Sequence, residues 1–223
     1  MSGRLQDDSD KANNPGPVIT ISRQYGCPSR RIARDLTERL TEKMIVKGYE
    51  NIRWKIITKE IMSDSARELE VDPAKIKYIF DYEQKGIIDD ILSAHLYKYY
   101  KSDRAIRSTV GRVIRNIAEE GYAVIVGRGG VAITHDIPRS LHINLEAPLE
   151  WRTLRVSEKH DISLEEAEKY AKDIDRKRKQ FREYFEGKNT DYTWFDLTFN
   201  CMTLTIDEIV QIILKAIDVR KLL

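Results

Sequence analysis

The sequence feature that most constrains this chain is the stretch at 18–33, VITISRQYGCPSRRIA. It opens with apolar and β-branched residues, which predict a buried strand. A turn-rich segment with Gly26 and Pro28 follows. Apolar residues then recur at the spacing of one helix face, at Ile32, Ala33, Leu36 and Leu40. A helix that starts directly after a strand and a tight loop can bind an anion, because its first N–H groups lack intrahelical partners and its dipole favours negative charge. The stretch therefore predicts a phosphate loop.

Two interpretations of this stretch compete. Many strand–loop–helix units bind nothing, and the strict pattern G-x-x-x-x-G-K-[ST] is absent from the sequence. Charge favours the functional interpretation, because Arg23, Arg30 and Arg31 crowd the loop and the start of the helix. Cations at this position oppose the helix dipole unless an anion joins them.

Composition limits the classes of protein that fit. The chain has 223 residues, a formal net charge of +2, 41% hydrophobic and 33% charged residues, which suits one moderately sized domain with an insertion. The near-neutral charge gives no case for a nucleic-acid partner or a membrane surface. No apolar run approaches the ~20 residues of a transmembrane helix. We also expect a monomer or a weak homo-oligomer.

Residues 1–17 and the two cysteines predict a cytoplasmic location. Residues 1–17 are polar, which predicts a disordered tail rather than a signal peptide. Cys27 and Cys201 form neither a disulfide framework nor a metal cluster, as expected of a reducing cytoplasm. Cys27 is either a reactive thiol at a helix N-terminus or a simple replacement for Ser.

The middle of the chain has the sequence pattern of helices. A short strand is predicted at 54–57, and helical patterns then continue from 58 to 120. A long block without a strand, inside a chain that otherwise alternates strands and helices, predicts a helical insertion at 58–120.

A glycine-rich turn follows the clearest buried strand, at 122–126. This strand leads into Gly127-Arg128-Gly129-Gly130. Glycines let the backbone turn sharply and present the guanidinium of Arg128 beyond the carboxyl end of the strand, where open α/β sheets bind ligands. The other interpretation is a turn with a solvated arginine.

The C-terminal third continues the alternation of strands and helices. Strands are predicted at 140–145 and 196–200, and a helix at 149–160 begins after Pro148. A capping box at Thr205–Glu208 starts the last helix, and one at Ser163–Glu166 starts a helix that runs to about 185. Its second half is strongly basic, which is typical of a solvated face, of a nucleic-acid tail, or of the arginine-bearing helix that phosphoryl transfer uses.

Three motifs give the chain a family resemblance. ISRQYG, VIVGRGG and the Asp-Arg-x-Arg segment at 175–178 resemble the cytidylate kinase-like family, a branch of the P-loop nucleoside monophosphate kinases. The resemblance implies an α/β P-loop NTPase fold over 18–223, with a doubly wound parallel sheet of about five strands. It also implies that 58–120 binds the acceptor nucleotide and that 160–188 is an arginine-rich lid. Cys27-Pro28-Ser29 departs from the family's Ser-Gly-Gly, and Pro28 removes one N–H donor.

The resemblance also implies a reaction and roles for residues. The reaction is transfer of the ATP γ-phosphoryl to CMP or dCMP, with Mg²⁺ arriving with ATP. The implied donor-nucleotide residues are Arg23, Gly26, Cys27, Ser29 and Arg31, with Arg152 or Arg155 near adenine. The implied acceptor residues are Arg128, Asp175 and Asn200, and the implied catalytic residues are Arg30, in place of the missing Lys, with Arg176 and Arg178 of the lid. Asn200 is equally compatible with a plain turn. The rival hypotheses are a nucleotide-binding protein without turnover and a kinase for another small acceptor.

Overall fold

A computed structural model describes residues 17–58, 103–186 and 192–223. Strands and helices alternate through most of these ranges. The strands are β1 (Val18–Arg23), β2 (Lys55–Ile57), β3 (Ala123–Val126), β4 (Ser140–Glu146) and β5 (Leu197–Asn200). The helices are α1 (Ser29–Val46), α2 (Asp103–Glu120), α3 (Gly130–Thr134), α4 (Leu149–His160), α5 (Leu164–Glu186) and α6 (Ile206–Val219).

The strands of the described ranges form one parallel sheet in the order β2-β3-β1-β4-β5. β1 is central, and its Val18 pairs with Ala123 of β3 on one side and Ser140 of β4 on the other. Helices cover both faces of such a sheet, so its inner strands are apolar throughout. Accordingly, every residue of β3 is buried, as are the first four residues of β1. The prediction of a parallel α/β sheet of about five strands is confirmed.

The strand order determines where ligands can bind. The chain adds β2 and β3 on one side of β1 and then β4 and β5 on the other. Open α/β sheets bind ligands at the carboxyl ends of the strands beside such a reversal. The loops at 24–28, 127–129 and 147–148 follow β1, β3 and β4 at this edge.

Helix ends follow their sequence signals. At the start of α6, the Thr205 hydroxyl accepts a hydrogen bond from the Glu208 N–H, and the Glu208 carboxylate accepts one from the Thr205 N–H. Ser163 and Glu166 form the same reciprocal pair at the start of α5. Both predicted capping boxes are therefore present. No helix within the described ranges is both long and apolar enough to cross a membrane.

The chain divides into two compact units, Met1–Thr58 with Arg115–Leu223, and Lys59–Ile114. The described part of the second unit begins at Asp103, within α2. The predicted helices between 59 and 102, and the predicted tail before residue 17, lie outside the described residues. The acceptor-binding role of the insertion stays a prediction.

His142 is a buried histidine in β4. Its Nδ1 lies 2.8 Å from Thr20 Oγ1, and its Nε2 lies 3.0 Å from Ser140 Oγ. Burial disfavours the charged ring and lowers the pKa of His142 from 6.5 to about 4, although the charge of Asp196 partly opposes this shift.

We expect His142 to make the fold sensitive to mild acid. The unfolded chain binds a proton at this ring near pH 6.5, whereas the folded chain binds it only near pH 4. The contribution of the neutral ring to stability is therefore complete above the higher value and is lost as the pH falls toward the lower one, by up to about 3 kcal/mol. The free energy of unfolding, measured with urea at several pH values across this range, should depend less on pH in His142→Gln than in the wild-type protein. An unchanged slope in this variant would contradict the assignment.

Candidate functional site

The loop after β1 is attached to the end of β4. The Gln24 N–H donates to the carbonyl oxygen of Leu145 at 2.9 Å, and the Gln24 side-chain oxygen accepts from the Ala147 N–H at 3.1 Å. Gly26 has φ +95°, and a Cβ at this position would lie 2.9 Å from the Cβ of Arg152. The turn therefore requires glycine both for its backbone conformation and for its close contact with α4.

A buried ion pair holds the peptide groups of Tyr25. The Arg152 side chain is 7% exposed, and its Nη1 lies 2.7 Å from Asp175 Oδ2. The same Nη1 donates to the Tyr25 carbonyl oxygen at 3.0 Å, and Asp175 Oδ1 accepts from the Tyr25 N–H at 2.7 Å. Arg152 Nε donates to the Ala147 carbonyl at 3.0 Å. Burial raises the pKa of Asp175, while the Tyr25 N–H and Arg152 oppose that shift.

The start of α1 is suited to an anion. Its first turn has no acidic residue, and Arg30 and Arg31 are exposed and form no ion pair with any residue in the described ranges. Within those ranges the backbone N–H groups of Gly26 and Arg30 also have no acceptor. A helix N-terminus with unpaired donors and neighbouring guanidinium groups attracts phosphate.

Fewer backbone N–H groups of the 26–31 segment are available to a phosphate than the family resemblance implies. The N–H groups of Cys27, Ser29 and Arg31 donate to nearby carbonyl oxygens, at 3.3, 2.9 and 3.1 Å. These three groups therefore do not point freely out of the loop in this conformation. Pro28 lacks an N–H, so Gly26 and Arg30 supply the available backbone donors of the 26–31 segment.

Arg23 and the turn after β3 lie against each other. A Cβ at Gly127, where φ is +75°, would lie 1.8 Å from Nη1 of Arg23, so a side chain at this position would displace the guanidinium. Arg128 follows, half-buried, in the left-handed conformation with φ +59°. The structure thus places Arg23 and the turn that carries Arg128 side by side at the carboxyl ends of β1 and β3.

The two predicted lid arginines point in different directions. Arg178 Nη1 lies 3.3 Å from the Arg23 carbonyl oxygen and 3.9 Å from Asp175 Oδ1. Arg176 is 67% exposed and pairs with Asp173 on the outer face of α5. Residues two apart on a helix lie on nearly opposite faces, so the structure brings Arg178 to the loop and does not bring Arg176 there.

Arg152 and Arg155 also differ in position. Arg152 is buried beneath the loop, whereas Arg155 is exposed above it. Arg155 Nε lies 3.3 Å from the Gly26 carbonyl oxygen, and its guanidinium lies 4.7 Å from the centre of the Trp151 ring. Of the two arginines that the sequence left open, Arg155 is the one accessible to a nucleotide in this conformation.

Asn200 forms the turn after β5. Its Oδ1 accepts from the Met202 N–H at 3.0 Å, and its carbonyl oxygen accepts from the Leu204 N–H at 3.1 Å. This geometry agrees with the turn interpretation, and a contact with the acceptor stays a prediction.

The chain's two cysteines lie together. Cys201 follows β5 and is buried, and Cys27 of the loop packs against the core cluster that contains it. The adjacent Cys201 thiol and burial both raise the pKa of Cys27. A thiol with a raised pKa stays protonated at neutral pH and reacts slowly. The interpretation that Cys27 replaces a Ser is therefore favoured over a reactive thiol.

Sequence reasoning missed several residues of the site. Tyr25 belongs to the ISRQYG motif, which by itself indicates no role for the ring, and His160 is one of four histidines that lie far apart in the sequence. The structure places the Tyr25 hydroxyl 2.8 Å from His160 Nε2. Phe181 and Phe185 of α5 pack near Gly129. Their helical spacing gave an apolar signal, but nothing in the sequence indicated the partner.

We expect Arg152→Met to destabilise the protein and Arg155→Met to leave its stability nearly unchanged. The first variant leaves Asp175, whose side chain is 24% exposed, without its ion pair, which costs about 2 kcal/mol. The second removes an exposed guanidinium from the same helix. Urea unfolding of both variants, with the wild-type chain as reference, measures the difference. Equal stabilities would contradict a loop-holding role for Arg152.

The chain is similar to known proteins to different extents. Residues 18–203 match the model of the Cytidylate kinase-like family. A cytidylate kinase of Methanopyrus kandleri is 29% identical over 119 residues, which are 49% of this chain and 61% of that relative. The aligned part of the chain thus spans 61% of the length of its curated relative.

One solved structure shares the fold of this chain, and a second is similar to it at a lower score. An uncharacterized protein from Eubacterium ventriosum has a TM-score of 0.62 at 22% identity, over 90% of this chain and 97% of that chain. A shikimate kinase from Bacteroides thetaiotaomicron has a TM-score of 0.49 at 10% identity, over 90% of this chain and 98% of that chain. The match over 18–203 confirms the resemblance found in the motifs. The chain belongs to the cytidylate kinase-like family.

Proposed function

We propose that this protein transfers the γ-phosphoryl group of ATP to a nucleoside monophosphate, with CMP or dCMP as the acceptor. The observation that carries this proposal is the loop after β1, which an ion pair holds from below and which arginines from other elements approach. Arg23 and Arg178 meet at the end of β1, and Arg30 and Arg31 begin α1. Membership in the family supports a nucleotide as the ligand.

The donor phosphates fit the start of α1. The unpaired N–H groups of Gly26 and Arg30 and the exposed guanidinium groups of Arg30 and Arg31 offer hydrogen bonds and positive charge in the absence of an acidic residue. Arg30 supplies the cation that a lysine supplies in the strict loop pattern. Arg155 is accessible beside this loop and is our choice for the residue near adenine.

Magnesium requires few protein ligands in this proposal. No group of three or more His, Cys, Asp or Glu side chains within the described ranges forms a metal site. Mg²⁺ at phosphoryl-transfer sites is held largely by phosphate oxygens and water. The ion would therefore arrive with ATP and neutralise phosphate charge.

The acceptor phosphate fits Arg128. Its turn lies beside Arg23, and α5 packs on the same turn through Phe181 and Phe185. Asp175 binds Tyr25 and Arg152 and lies near Arg178, so we assign it to orienting the loop and the lid arginine. Asn200 is kept as a candidate contact to the acceptor.

Phosphoryl transfer needs little covalent chemistry from the protein. Catalysis comes from holding two anions in line and stabilising the charge that develops between them. A fixed loop, Arg128 and Arg178 supply these functions in our proposal. Guanidinium groups are suited to this task because they stay charged and bind phosphate oxygens through two parallel donors.

A second candidate function is nucleotide binding without turnover. Pro28 and the engaged N–H groups of Cys27 and Ser29 reduce the number of donors in the loop, which favours weaker stabilisation of the transition state. A kinase for another acceptor is the third candidate, because most of the predicted acceptor-binding insertion lies outside the described residues.

A coupled assay for ADP formation distinguishes these functions. With ATP and Mg²⁺, we expect turnover with CMP or dCMP and little turnover with UMP or AMP. ATP binding by calorimetry without turnover of any of the four acceptors would favour the binding protein. Turnover with AMP or UMP alone would move the acceptor assignment away from cytidine nucleotides.

Two arginines of α5 provide a matched pair of variants. Arg178→Ala should lower kcat by about 10²-fold, because it removes a cation from the loop where charge develops. Arg176→Ala removes the same group from the solvent-facing side of the helix and should change kcat little. Steady-state kinetics measures both. Equal losses would show that Arg176 also reaches the phosphates in the working enzyme, and would contradict the assignment to Arg178 alone.

A further inference from the structure

Tyr25 is the residue through which the loop contacts α4 and α5. Its side chain is 4% exposed although it lies in the middle of a surface loop. Its hydroxyl lies 2.8 Å from Nε2 of His160, the last residue of α4. The edge of its ring meets Tyr170 of α5 at a centroid distance of 5.4 Å, and the Arg178 guanidinium lies 5.2 Å from the ring centre.

These contacts fall on both sides of the turn that joins α4 to α5. The turn contains Asp161 in the left-handed conformation, with φ +54°, and Ser157 of α4 donates a hydrogen bond to the Ile162 carbonyl oxygen at 2.6 Å. His160 lies before the turn and Tyr170 lies after it. Tyr25 thus fixes the base of α5 relative to the phosphate loop.

The backbone of Tyr25 adds a connection farther along α5. Its N–H donates to Asp175 Oδ1 at 2.7 Å, one turn before Arg178 on the same helix face. The Arg178 guanidinium in turn donates to the carbonyl of Arg23 at 3.3 Å. A shift of the Tyr25 peptide is therefore transmitted to α5 by a short, charge-assisted hydrogen bond and by ring contacts.

We propose that Tyr25 is a positioning residue that couples phosphate binding at the loop to the position of Arg178 on α5. This inference rests on the proposed phosphoryl transfer, because it assumes that ATP binds the loop. Tyr25 itself has its side chain directed at α4 and α5. It acts through Arg178. When bound phosphates order the Gly26 peptide, the neighbouring Tyr25 is held in place, and its contacts with α5 keep the Arg178 guanidinium at the loop.

A merely structural role for Tyr25 would give a different result. If Tyr25 only filled space, its removal would lower stability while nucleotide binding continued to order both the loop and α5. If Tyr25 couples the two, its removal leaves nucleotide binding at the loop but uncouples α5 from it. The two cases therefore differ in whether ATP slows backbone hydrogen exchange in the loop alone or in both the loop and α5.

Hydrogen–deuterium exchange with and without ATP and Mg²⁺ tests the coupling. In the wild-type protein we expect ATP to slow exchange in peptides covering 24–36 and in peptides covering 164–186. In Tyr25→Leu, the protection of 24–36 should remain and that of 164–186 should be strongly reduced, because the ring contacts are lost and only the backbone hydrogen bond to Asp175 persists. Tyr25→Phe keeps the ring and loses only the hydroxyl contact with His160, so it should retain part of the protection of α5.

Kinetics supplies a second measurement. Tyr25→Leu should lower kcat about tenfold while leaving KM for ATP nearly unchanged, because a displaced Arg178 affects the transition state more than the bound ground state. Tyr49→Leu is the matched control, since it makes the same change at a 54% exposed tyrosine after α1. It should behave like the wild-type protein in both measurements.

The outcomes separate the two proposals. If ATP protects neither segment of the wild-type protein, the proposed function and the coupling both fail. If ATP protects 24–36 and not 164–186 in the wild-type protein, the coupling fails and nucleotide binding stands. If Tyr25→Leu retains the protection of both segments, the coupling also fails. Should Tyr25→Leu not fold, Tyr25→Phe and His160→Ala decide the same question, because each removes one side of the 2.8 Å contact and is expected to reduce the protection of α5.

Discussion

The buried ion pair between Arg152 and Asp175 is the interaction on which the site depends. Removing two charges from water is costly, and the attraction between them offsets this cost only when further hydrogen bonds satisfy both groups. Here those hydrogen bonds are to the Tyr25 N–H, the Tyr25 carbonyl and the Ala147 carbonyl. The pair therefore fixes the shape of the loop and joins α4 to α5 at the same point.

This ion pair also explains how the loop is held despite its unusual sequence. Pro28 provides no donor, and the N–H groups of Cys27 and Ser29 are used within the loop itself. Side chains from α4 and α5 fix the backbone that the loop's own hydrogen bonds leave free. Positive charge is likewise supplied by arginines from several elements rather than by one lysine of the loop. The arrangement keeps an anion-attracting helix start on a rigid support, which the proposed phosphoryl transfer requires.

Local sequence signals were sufficient for most of the fold. The apolar runs of β1 and β3, the capping boxes before α5 and α6, and Pro148 before α4 predicted elements that the structure contains. They also placed the turn with Arg128 at the carboxyl end of a strand. These signals could not show which arginine of a helix contacts the loop. Arg152 and Arg155 are equivalent by residue type and spacing, and so are Arg176 and Arg178. Packing against the loop separates them, and such contacts as that between Tyr25 and His160 join residues far apart in the chain.

The pairing of β1 has a consequence for how the protein is made. Among the strands that the structure describes, β1 is synthesised first, yet its Val18 pairs with Ala123 and Ser140, which are synthesised much later. Until then, an apolar strand with unsatisfied edges has no native neighbour, and such segments associate readily with other chains. Closing so long a loop also slows folding. The central position of β1 thus leaves an apolar strand of the nascent polypeptide unpaired until β3 and β4 have been synthesised.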